Sequence, residues 1–276
     1  LPRALYDHIW LGRFNDSVSS ALISAEWFDA CVDAHLKLGF IPRGAKVAAH
    51  DPSDGGDPKG YCMRHGSVIL DVQEKTDGNV NDGGHWAAGI AINQQVDAFV
   101  WDAVGLGAGL SEQMSNDFKG KNIQLSMFVG SEEPDFPDSI YKPALGNPVA
   151  QQLKIKDAIK NKRAQYHIEL RDRVYRTYLA VVHKEYHDPD TLISFDSELP
   201  LLMKLRAEIC RLPIKPNSNG LIELYTKDEM KRKFKIASPN LAEAVMYTLR
   251  HIPNYEAEVR PYIPRPLRVI GDRKWN

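Results

Sequence analysis

The sequence predicts an α/β fold in which helices flank a mixed five-stranded sheet. Three consecutive runs of apolar residues, at 47–51, 60–66 and 67–73, are joined by tight turns, which is typical of hairpin-linked strands. Two further apolar runs, at 97–102 and 123–129, each follow a segment with helical spacing. A strand, a crossover helix and a second strand normally form a parallel pair, so the sheet is expected to contain both strand orientations.

Length and composition exclude several classes of protein. The chain has 276 residues, 43% of them apolar, and a formal net charge of −1, which fits one large domain or two small ones with ample core. No apolar run approaches the roughly 20 residues of a membrane-spanning helix, and no export signal is recognisable. The three cysteines (Cys31, Cys62 and Cys210) are far apart and odd in number, which argues against a disulfide framework or a zinc site and favours a reducing cytoplasm.

Helices are predicted around these strands. Apolar residues recur at helical spacing over 25–38, and Gly39 ends the pattern. Further helices are expected at 84–94 and at 110–118, the second after a glycine-rich run. Three hairpin-linked strands, a helix, and two strands separated by a helix follow the order of an RNase H-like fold.

The second half of the chain is predicted to add a long helical and β-hairpin insertion. Its expected elements are a loop at 134–148, a long charged helix at 153–186, a loop with a short strand at 188–200, a helix at 201–212 and a strand at 221–225. A helix at 238–249 is well signalled, with Ser238 as its cap and Pro239 in its first turn.

Three acidic residues stand where apolar residues would otherwise be expected. Asp51 ends the first predicted strand, Asp102 ends the fourth, and Glu243 lies among alanines in the late helix. Strands one and four are expected to be neighbours, so both aspartates would project from one edge, where the helix could bring Glu243. Anions removed from water need a cation or several donors. Oxygen ligands without cysteine or paired histidine favour magnesium or manganese, and two such ions about 3.5–4 Å apart can drive phosphodiester cleavage.

The same residues also fit simpler structural roles. An aspartate at a strand exit is often a turn former or a helix cap. Glu243 could instead pair with Arg250 or Lys235 at the surface. Asp57 could reach a second metal ion, whereas Asp54 has the character of a turn residue.

Two other patterns favour structure over function. The run Gly105-x-Gly107-x-Gly109 resembles a phosphate loop, but no lysine follows in register, so close backbone packing beside Asp102 explains it better. His183 and His187 have metal-ligand spacing without a third ligand nearby, which favours a solvated helix face.

Basic residues concentrate at 154–176 and at 227–235. The first stretch is equally compatible with a plain exposed helix and with a surface that follows the DNA backbone. The residues predicted to hold DNA phosphates are Lys160, Lys162, Arg163, Arg171, Arg173, Lys231 and Arg232.

Taken in order, these motifs resemble one known family, the C-terminal nuclease domain of the large terminase subunit, the genome-packaging motor of tailed bacteriophages. The resemblance covers nearly the whole chain. It rests on the ordered set Tyr6-Asp-His-Ile-Trp-Leu-Gly12, His50-Asp51-Pro-x-x-Gly-Gly-Asp57, Trp101-Asp102-Ala-Val-Gly105-Leu-Gly107-Ala-Gly109-Leu, Asn161-Lys-Arg-Ala-Gln-Tyr166 with Leu170-Arg-Asp-Arg173, Lys227-Asp-Glu-Met-Lys-Arg232 and Ser238-Pro-Asn240-Leu-Ala-Glu243-Ala.

The resemblance implies an RNase H-like endonuclease that uses two Mg²⁺ or Mn²⁺ ions to cut concatemeric double-stranded DNA with low sequence specificity. Its catalytic residues would be Asp51, Asp102 and Glu243. The same three, with Asp57 and Asn240, would be the metal ligands, Asp57 serving the more loosely held ion. The family usually has two aspartates in the late helix, where this chain has Asn240 and Glu243. We therefore expect Glu243 to be the third acid and Asn240 to add a neutral oxygen on the same helix face.

The resemblance also implies the surroundings of the domain. Residues 1–40 would be the remnant of a linker from an ATPase domain, 41–255 the nuclease domain and 256–276 an extended tail. The expected partners are double-stranded DNA, the ATPase domain of the same chain, the portal protein and the small terminase subunit, with no membrane. The expected location is the host bacterial cytoplasm, where the packaging motor assembles transiently on the procapsid.

Two other functions stay open on the sequence alone. An RNase H-like junction resolvase or transposase would share the acidic residues, although the segment Trp10-Leu-Gly12 disfavours it. A non-catalytic module that grips DNA and docks on the portal, with a vestigial metal site, is kept open by Asn240, because one carboxylate fewer weakens metal binding.

Overall fold

A computed structural model describes residues 21–54, 57–145, 153–215 and 220–252. Within these ranges, a six-stranded mixed sheet has the order β5-β4-β1-β2-β3-β6. Its strands are β1 Lys46–Asp51, β2 Lys59–His65, β3 Val68–Lys75, β4 Ala98–Asp102, β5 Gln124–Phe128 and β6 Ser194–Phe195. A separate antiparallel pair comprises β7 Ile214–Lys215 and β8 Glu223–Leu224.

Helices surround the sheet. They are α1 Ala25–Cys31, α2 Ala34–Leu38, α3 Val80–Asn93, α4 Ser111–Asp117, α5 Ile155–Ala158, α6 Lys162–Val182, α7 Leu202–Ile209, α8 Lys227–Phe234 and α9 Asn240–Thr248, with short 3₁₀ turns at Gly105–Leu110 and Pro189–Thr191. Among the residues described, no helix combines the length and the apolar character that crossing a membrane requires.

The predicted RNase H-like arrangement of the sheet is confirmed. β1 pairs antiparallel with β2 and parallel with β4, and β4 pairs parallel with β5. The sheet has one strand more than predicted, because the two residues of β6 pair parallel with β3. The predicted short strand within 188–200 is β6, but its place in the main sheet depends on a contact between residues far apart in sequence, which no local pattern indicates.

Three predicted helix boundaries are wrong, each for a local reason. The helix at 25–38 is two helices, because Asp33 adopts a left-handed conformation with φ of 51° between them. The long charged helix begins only at Lys162, where the side chain of Asn161 accepts a hydrogen bond from the amide of Ala164 and caps it. Ser238 does not cap α9, since its hydroxyl instead donates to Asp57 Oδ2 over 3.1 Å.

The two faces of the sheet bury two cores, and the larger one holds α6 and α9. Val47 and Ala49 of β1 face this larger core, whereas Ala48 faces the smaller core beneath α3. Asp51 continues the alternation of Val47 and Ala49 and therefore lies on the face that α9 covers. Every residue of α9 is buried, so the polar residues in this helix need partners inside the protein.

The segment before β1 belongs to the same core. Leu22, Ile23, Phe28 and Cys31 are buried in the larger cluster together with residues of α6 and α9. These four side chains lie within residues 1–40, the range predicted to be a linker remnant, and they pack in the same core as the predicted nuclease domain. The domain boundary at residue 40 stays a prediction. The Tyr6–Gly12 motif and the predicted tail at 256–276 lie outside the described residues.

Candidate metal centre

Three acidic residues meet at one end of the sheet. Asp51 and Asp102 are the last residues of the parallel neighbours β1 and β4, and Glu243 lies in the first turn of α9. The negative charges of Glu243 and Asp102 both raise the pKa of Asp51, so the three carboxyl groups are close enough to repel one another. The predicted grouping of these acids at one edge is thus present in the structure.

Asp51 is more deeply buried than Asp102, with 1% of its surface exposed. Lys227 Nζ, from the first residue of α8, lies 2.7 Å from Asp51 Oδ2 and 3.0 Å from Oδ1. Burial raises the pKa of Asp51 to about 7, and this effect exceeds the attraction of Lys227. One lysine therefore compensates only part of the negative charge at this site.

The Lys227 ammonium is surrounded by oxygen atoms. Besides the two Asp51 oxygens, Asn240 Oδ1 lies 3.3 Å from Lys227 Nζ. The side-chain amide nitrogen Nδ2 of Asn240 donates to the carbonyl oxygen of Pro58, which orients the side-chain oxygen of Asn240 toward Lys227. Burial lowers the pKa of Lys227, but the attraction of Asp51 and Glu243 outweighs burial and raises it. The ammonium group is therefore held in its charged form.

Asp102 is positioned by its own strand exit and by α9. Its Oδ1 accepts a hydrogen bond from the amide of Val104 over 3.0 Å, and its Oδ2 accepts one from the Tyr247 hydroxyl over 3.2 Å. Burial raises the pKa of Asp102 as well. A Cβ atom on Gly107 would collide with the carbonyl oxygen of Asp102. This contact confirms the predicted close backbone packing beside Asp102.

Glu243 is completely buried and is held by α6. Its Oε1 accepts hydrogen bonds from Arg163 Nε over 3.0 Å and Nη2 over 2.5 Å. Its Oε2 lies 3.3 Å from His167 Nε2 but has no hydrogen-bond partner in the described part of the chain. Burial alone would raise the pKa of Glu243, but the charges of Arg163 and His167 hold it well below its usual range.

The donor set fits a hard divalent cation. Carboxylate oxygens and one amide oxygen are the ligands that magnesium and manganese prefer. The oxygens of Asp51 and Asn240 already converge on a cation, and the buried Glu243 Oε2 has capacity for a further partner. Among the described residues, no three Asp, Glu, His or Cys side chains are already gathered into a metal cage. Asp51 and Glu243 are instead each paired with a basic side chain.

Asp57 and Asp54 occupy the exposed loop after β1. Asp57 Oδ2 accepts the hydroxyl of Ser238, so this loop is tied to the segment that enters α9. Asp57 as a ligand of the second ion and Asp54 as a turn residue stay predictions.

The structure corrects the predicted DNA contacts of the first basic stretch. Lys162 is buried and pairs with Glu132 over 2.7 Å and with Asp135 over 3.1 Å. Arg171 is also buried, and its guanidinium pairs with Asp172 over 2.7 Å. A charged group that is enclosed in this way cannot reach a DNA phosphate without leaving its partner unpaired.

Two further arginines of this stretch are also used inside the protein. Arg173 donates to Glu169 Oε1 and to the carbonyl oxygens of Asp190 and Leu192, and Arg163 holds Glu243. The sequence shows the positive charge of these side chains but not their burial, so the stretch resembles a DNA-binding surface until the fold is known. Lys160, Lys231 and Arg232 are exposed, and their contact with DNA phosphates stays a prediction.

Several residues of the centre were missed or misassigned from sequence. Lys227 lies in the basic stretch at 227–235 but is not among the predicted phosphate contacts, whereas Arg163 is one of them. His167 and Tyr247 were not singled out. The spacing of Arg163 and His167, four residues apart on one helix face, was a visible signal that both could point to one partner.

Comparison with known proteins gives one group of strong matches. No protein-family model and no curated protein matches the chain. The solved nuclease domain of the large terminase subunit gp2 of bacterial virus Sf6 is 46% identical over 84% of this chain and 99% of that chain, with a TM-score of 0.79. One point mutant of that domain gives the same identity and TM-score in two structures, with manganese and beta-thujaplicinol and with calcium, over 84% of this chain and 99% or 100% of theirs. At this identity and coverage, the chain belongs to the family of nuclease domains of large terminase subunits.

Proposed function

We propose that this domain is a metal-dependent endonuclease that cuts double-stranded DNA by a two-metal mechanism with Mg²⁺ or Mn²⁺. The observation that carries the proposal is the placement of Asp51 and Asp102 at the ends of neighbouring parallel strands, under the helix that brings Glu243. A point mutant of the Sf6 nuclease domain, 46% identical to this chain, has been solved with manganese. That relative supports a divalent cation at the corresponding place here.

Asp51, Asp102 and Glu243 would hold the metal, with the side-chain oxygen of Asn240 beside them and Asp57 at the second ion. When bound, such ions activate a water molecule and neutralise charge on the leaving oxygen of a phosphodiester. Asp51 would hold the metal as a carboxylate, in place of its present contact with the Lys227 ammonium group. The Tyr247 hydroxyl fixes the orientation of Asp102 meanwhile.

The proposed DNA surface starts at the same place. α8 begins at Lys227, which reaches Asp51, and continues into the exposed residues Lys231 and Arg232. Lys233 Nζ lies 4.8 Å from the centre of the Tyr225 ring, so an aromatic group stands among these cations. Contacts of this kind hold the phosphate backbone without reading bases, which supports cleavage of low sequence specificity.

Family membership supports the rest of the setting. We propose that the domain works in a phage packaging motor in the host bacterial cytoplasm, on concatemeric DNA, with an ATPase domain of the same chain, a portal protein and a small terminase subunit.

The proposal is tested by plasmid cutting in Mn²⁺ with the variants Asp51→Asn and Asp102→Asn. Both should abolish cutting, because each removes a charged ligand, and both should keep the circular dichroism of the folded domain. Asp54→Asn, in the exposed loop beside the site, is the matched control and should cut normally. Undiminished cutting by Asp51→Asn would refute the assignment. Comparing branched DNA with linear duplex on the same enzyme separates a junction resolvase from a packaging nuclease.

The DNA surface has its own test. Replacing Lys231 and Arg232 by alanine should weaken DNA binding equally for all sequences. It should also reduce the slope of the logarithm of the binding constant against the logarithm of salt concentration by about one unit per lost phosphate contact. An unchanged salt slope would place the DNA elsewhere.

A further inference from the structure

The helix that carries Asn240 and Glu243 cannot cap its own start. Pro239 occupies the N-cap position of α9 and offers no side-chain acceptor. The first amide groups of a helix have no partner within the helix, and burial makes an unpaired amide costly. Leu241 and Ala242 are completely buried, so their amides depend on a group from elsewhere in the fold.

Glu208 provides that group from α7. Its Oε2 accepts hydrogen bonds from the amide of Leu241 over 2.8 Å and from the amide of Ala242 over 3.1 Å. A carboxylate at this position also compensates the positive end of the helix dipole. One oxygen atom from a different helix thus satisfies two consecutive amides in the first turn of α9.

The opposite side of the helix start is fixed by the sheet. β2 passes so close to α9 that a Cβ atom on Gly60 would collide with the carbonyl oxygen of Asn240. The side chain of Asn240 donates to Pro58, just before this strand. The first turn of α9 is therefore clamped between the backbone of β2 and the carboxylate of Glu208.

We infer that Glu208 is a positioning residue of the metal centre, which sets the place of Asn240 and Glu243 relative to Asp51 by capping α9. The inference rests on the proposed function of this centre. Within the part of the chain that the structure describes, the hydrogen bonds of the Glu208 side chain all go to backbone amides of α9, so it acts through that helix. Removal of a group that orients metal ligands without binding the metal itself typically lowers metal affinity or activity by about 10- to 100-fold.

Three variants separate positioning from ordinary stabilisation. Glu208→Ala removes the acceptor, whereas Glu208→Gln retains a carbonyl oxygen of the same reach. Glu198→Ala is the matched control, because it removes an exposed glutamate just before α7, the helix that carries Glu208. The Mn²⁺ affinity of each protein is measured by calorimetry, and the Mn²⁺ midpoint of plasmid cutting is measured well below every unfolding temperature.

We expect Glu208→Ala to raise both the Mn²⁺ dissociation constant and the Mn²⁺ midpoint of cutting by about tenfold or more, with Glu208→Gln and Glu198→Ala close to wild type. Rescue by glutamine would show that the acceptor position matters rather than the charge. A lower unfolding temperature with unchanged Mn²⁺ values would overturn the inference, and so would a glutamine variant as defective as the alanine variant. If Glu208→Ala does not fold, Glu208→Asp takes its place, because a shorter carboxylate must show the same defect.

The wild-type protein separates this inference from the proposed function. If it neither binds Mn²⁺ nor cuts DNA, the proposed function fails. If the wild-type protein binds Mn²⁺ and cuts DNA, and Glu208→Ala has the same Mn²⁺ affinity and cutting midpoint, only the positioning role of Glu208 fails.

Discussion

Lys227 Nζ lies 2.7 Å from Asp51 Oδ2 and within hydrogen-bond distance of Asn240 Oδ1, so an ammonium group stands where oxygen ligands converge. The contact joins the first residue of α8 to the last residue of β1. It neutralises part of the charge that burial of three carboxyl groups would otherwise leave uncompensated. A divalent cation at this place has to displace the ammonium group first.

Replacement of Lys227 by methionine should therefore strengthen metal binding. Methionine keeps much of the length of the side chain and removes the competing charge. We expect Mn²⁺ affinity, measured by calorimetry, to increase about tenfold, which corresponds to ~1.4 kcal/mol. Lys231→Met, on the exposed side of the same helix, should leave the affinity unchanged. Equal or weaker binding by Lys227→Met would show that the lysine does not compete with the metal.

The stability of the metal-free domain should depend on pH through Asp51. Burial raises the pKa of this carboxyl group from 3.8 to about 7. Between these values the folded state binds the proton more tightly than the unfolded chain, so the contribution of Asp51 to the free energy of unfolding falls as pH rises. The full change is on the order of 4 kcal/mol, at about 1.36 kcal/mol per pKa unit.

The Asp51→Asn variant lacks this titration. Its free energy of unfolding relative to wild type, measured with urea in the presence of EDTA, should rise as the pH is taken from about 4 to about 7. Burial also raises the pKa of Glu208 to about 7 and that of Asp102, but both groups are present in the two proteins. A difference that stays constant over this pH range would contradict the expected shift of Asp51.

Two glycines in the turn after β4 should respond very differently to alanine. A Cβ atom on Gly107 would strike the carbonyl oxygen of Asp102, whereas one on Gly109 would meet nothing within 4 Å. Gly107→Ala should cost more than about 2 kcal/mol in free energy of unfolding and should reduce cutting, because Asp102 must shift. Gly109→Ala should change stability by no more than about 1 kcal/mol. Similar urea midpoints for the two variants would refute the close approach.

Arg163 should behave as a structural partner of Glu243 rather than as a DNA contact. Its side chain is 18% exposed, and its guanidinium group donates to Glu243 and to the carbonyl oxygen of Tyr225. Arg163→Gln leaves a buried carboxylate without its main cation, so we expect a loss of about 3–5 kcal/mol in free energy of unfolding. Lys160→Gln, at an exposed position nearby, should cost no more than about 0.5 kcal/mol. A stable Arg163→Gln protein with weakened DNA binding would restore the original prediction.

The sequence predicted the parts of this protein that depend on local pattern. Alternating apolar runs indicated the first five strands, and their order indicated which two are parallel neighbours. An aspartate at the exit of each of those two strands then had to lie on the same edge. For this reason the juxtaposition of Asp51 and Asp102 could be predicted without coordinates.

The pairing of charges was decided by tertiary structure alone. Arg163 and Lys227 read as surface cations because a sequence shows the charge of a side chain but not its burial. The fold turns both inward, to Glu243 and Asp51, since a buried carboxylate is stable only with a partner. The cap that Glu208 gives to α9 joins residues 33 positions apart, and no local pattern carries such a contact. The sequence by itself determined which acids meet, and the tertiary structure decided which cations and amides hold them.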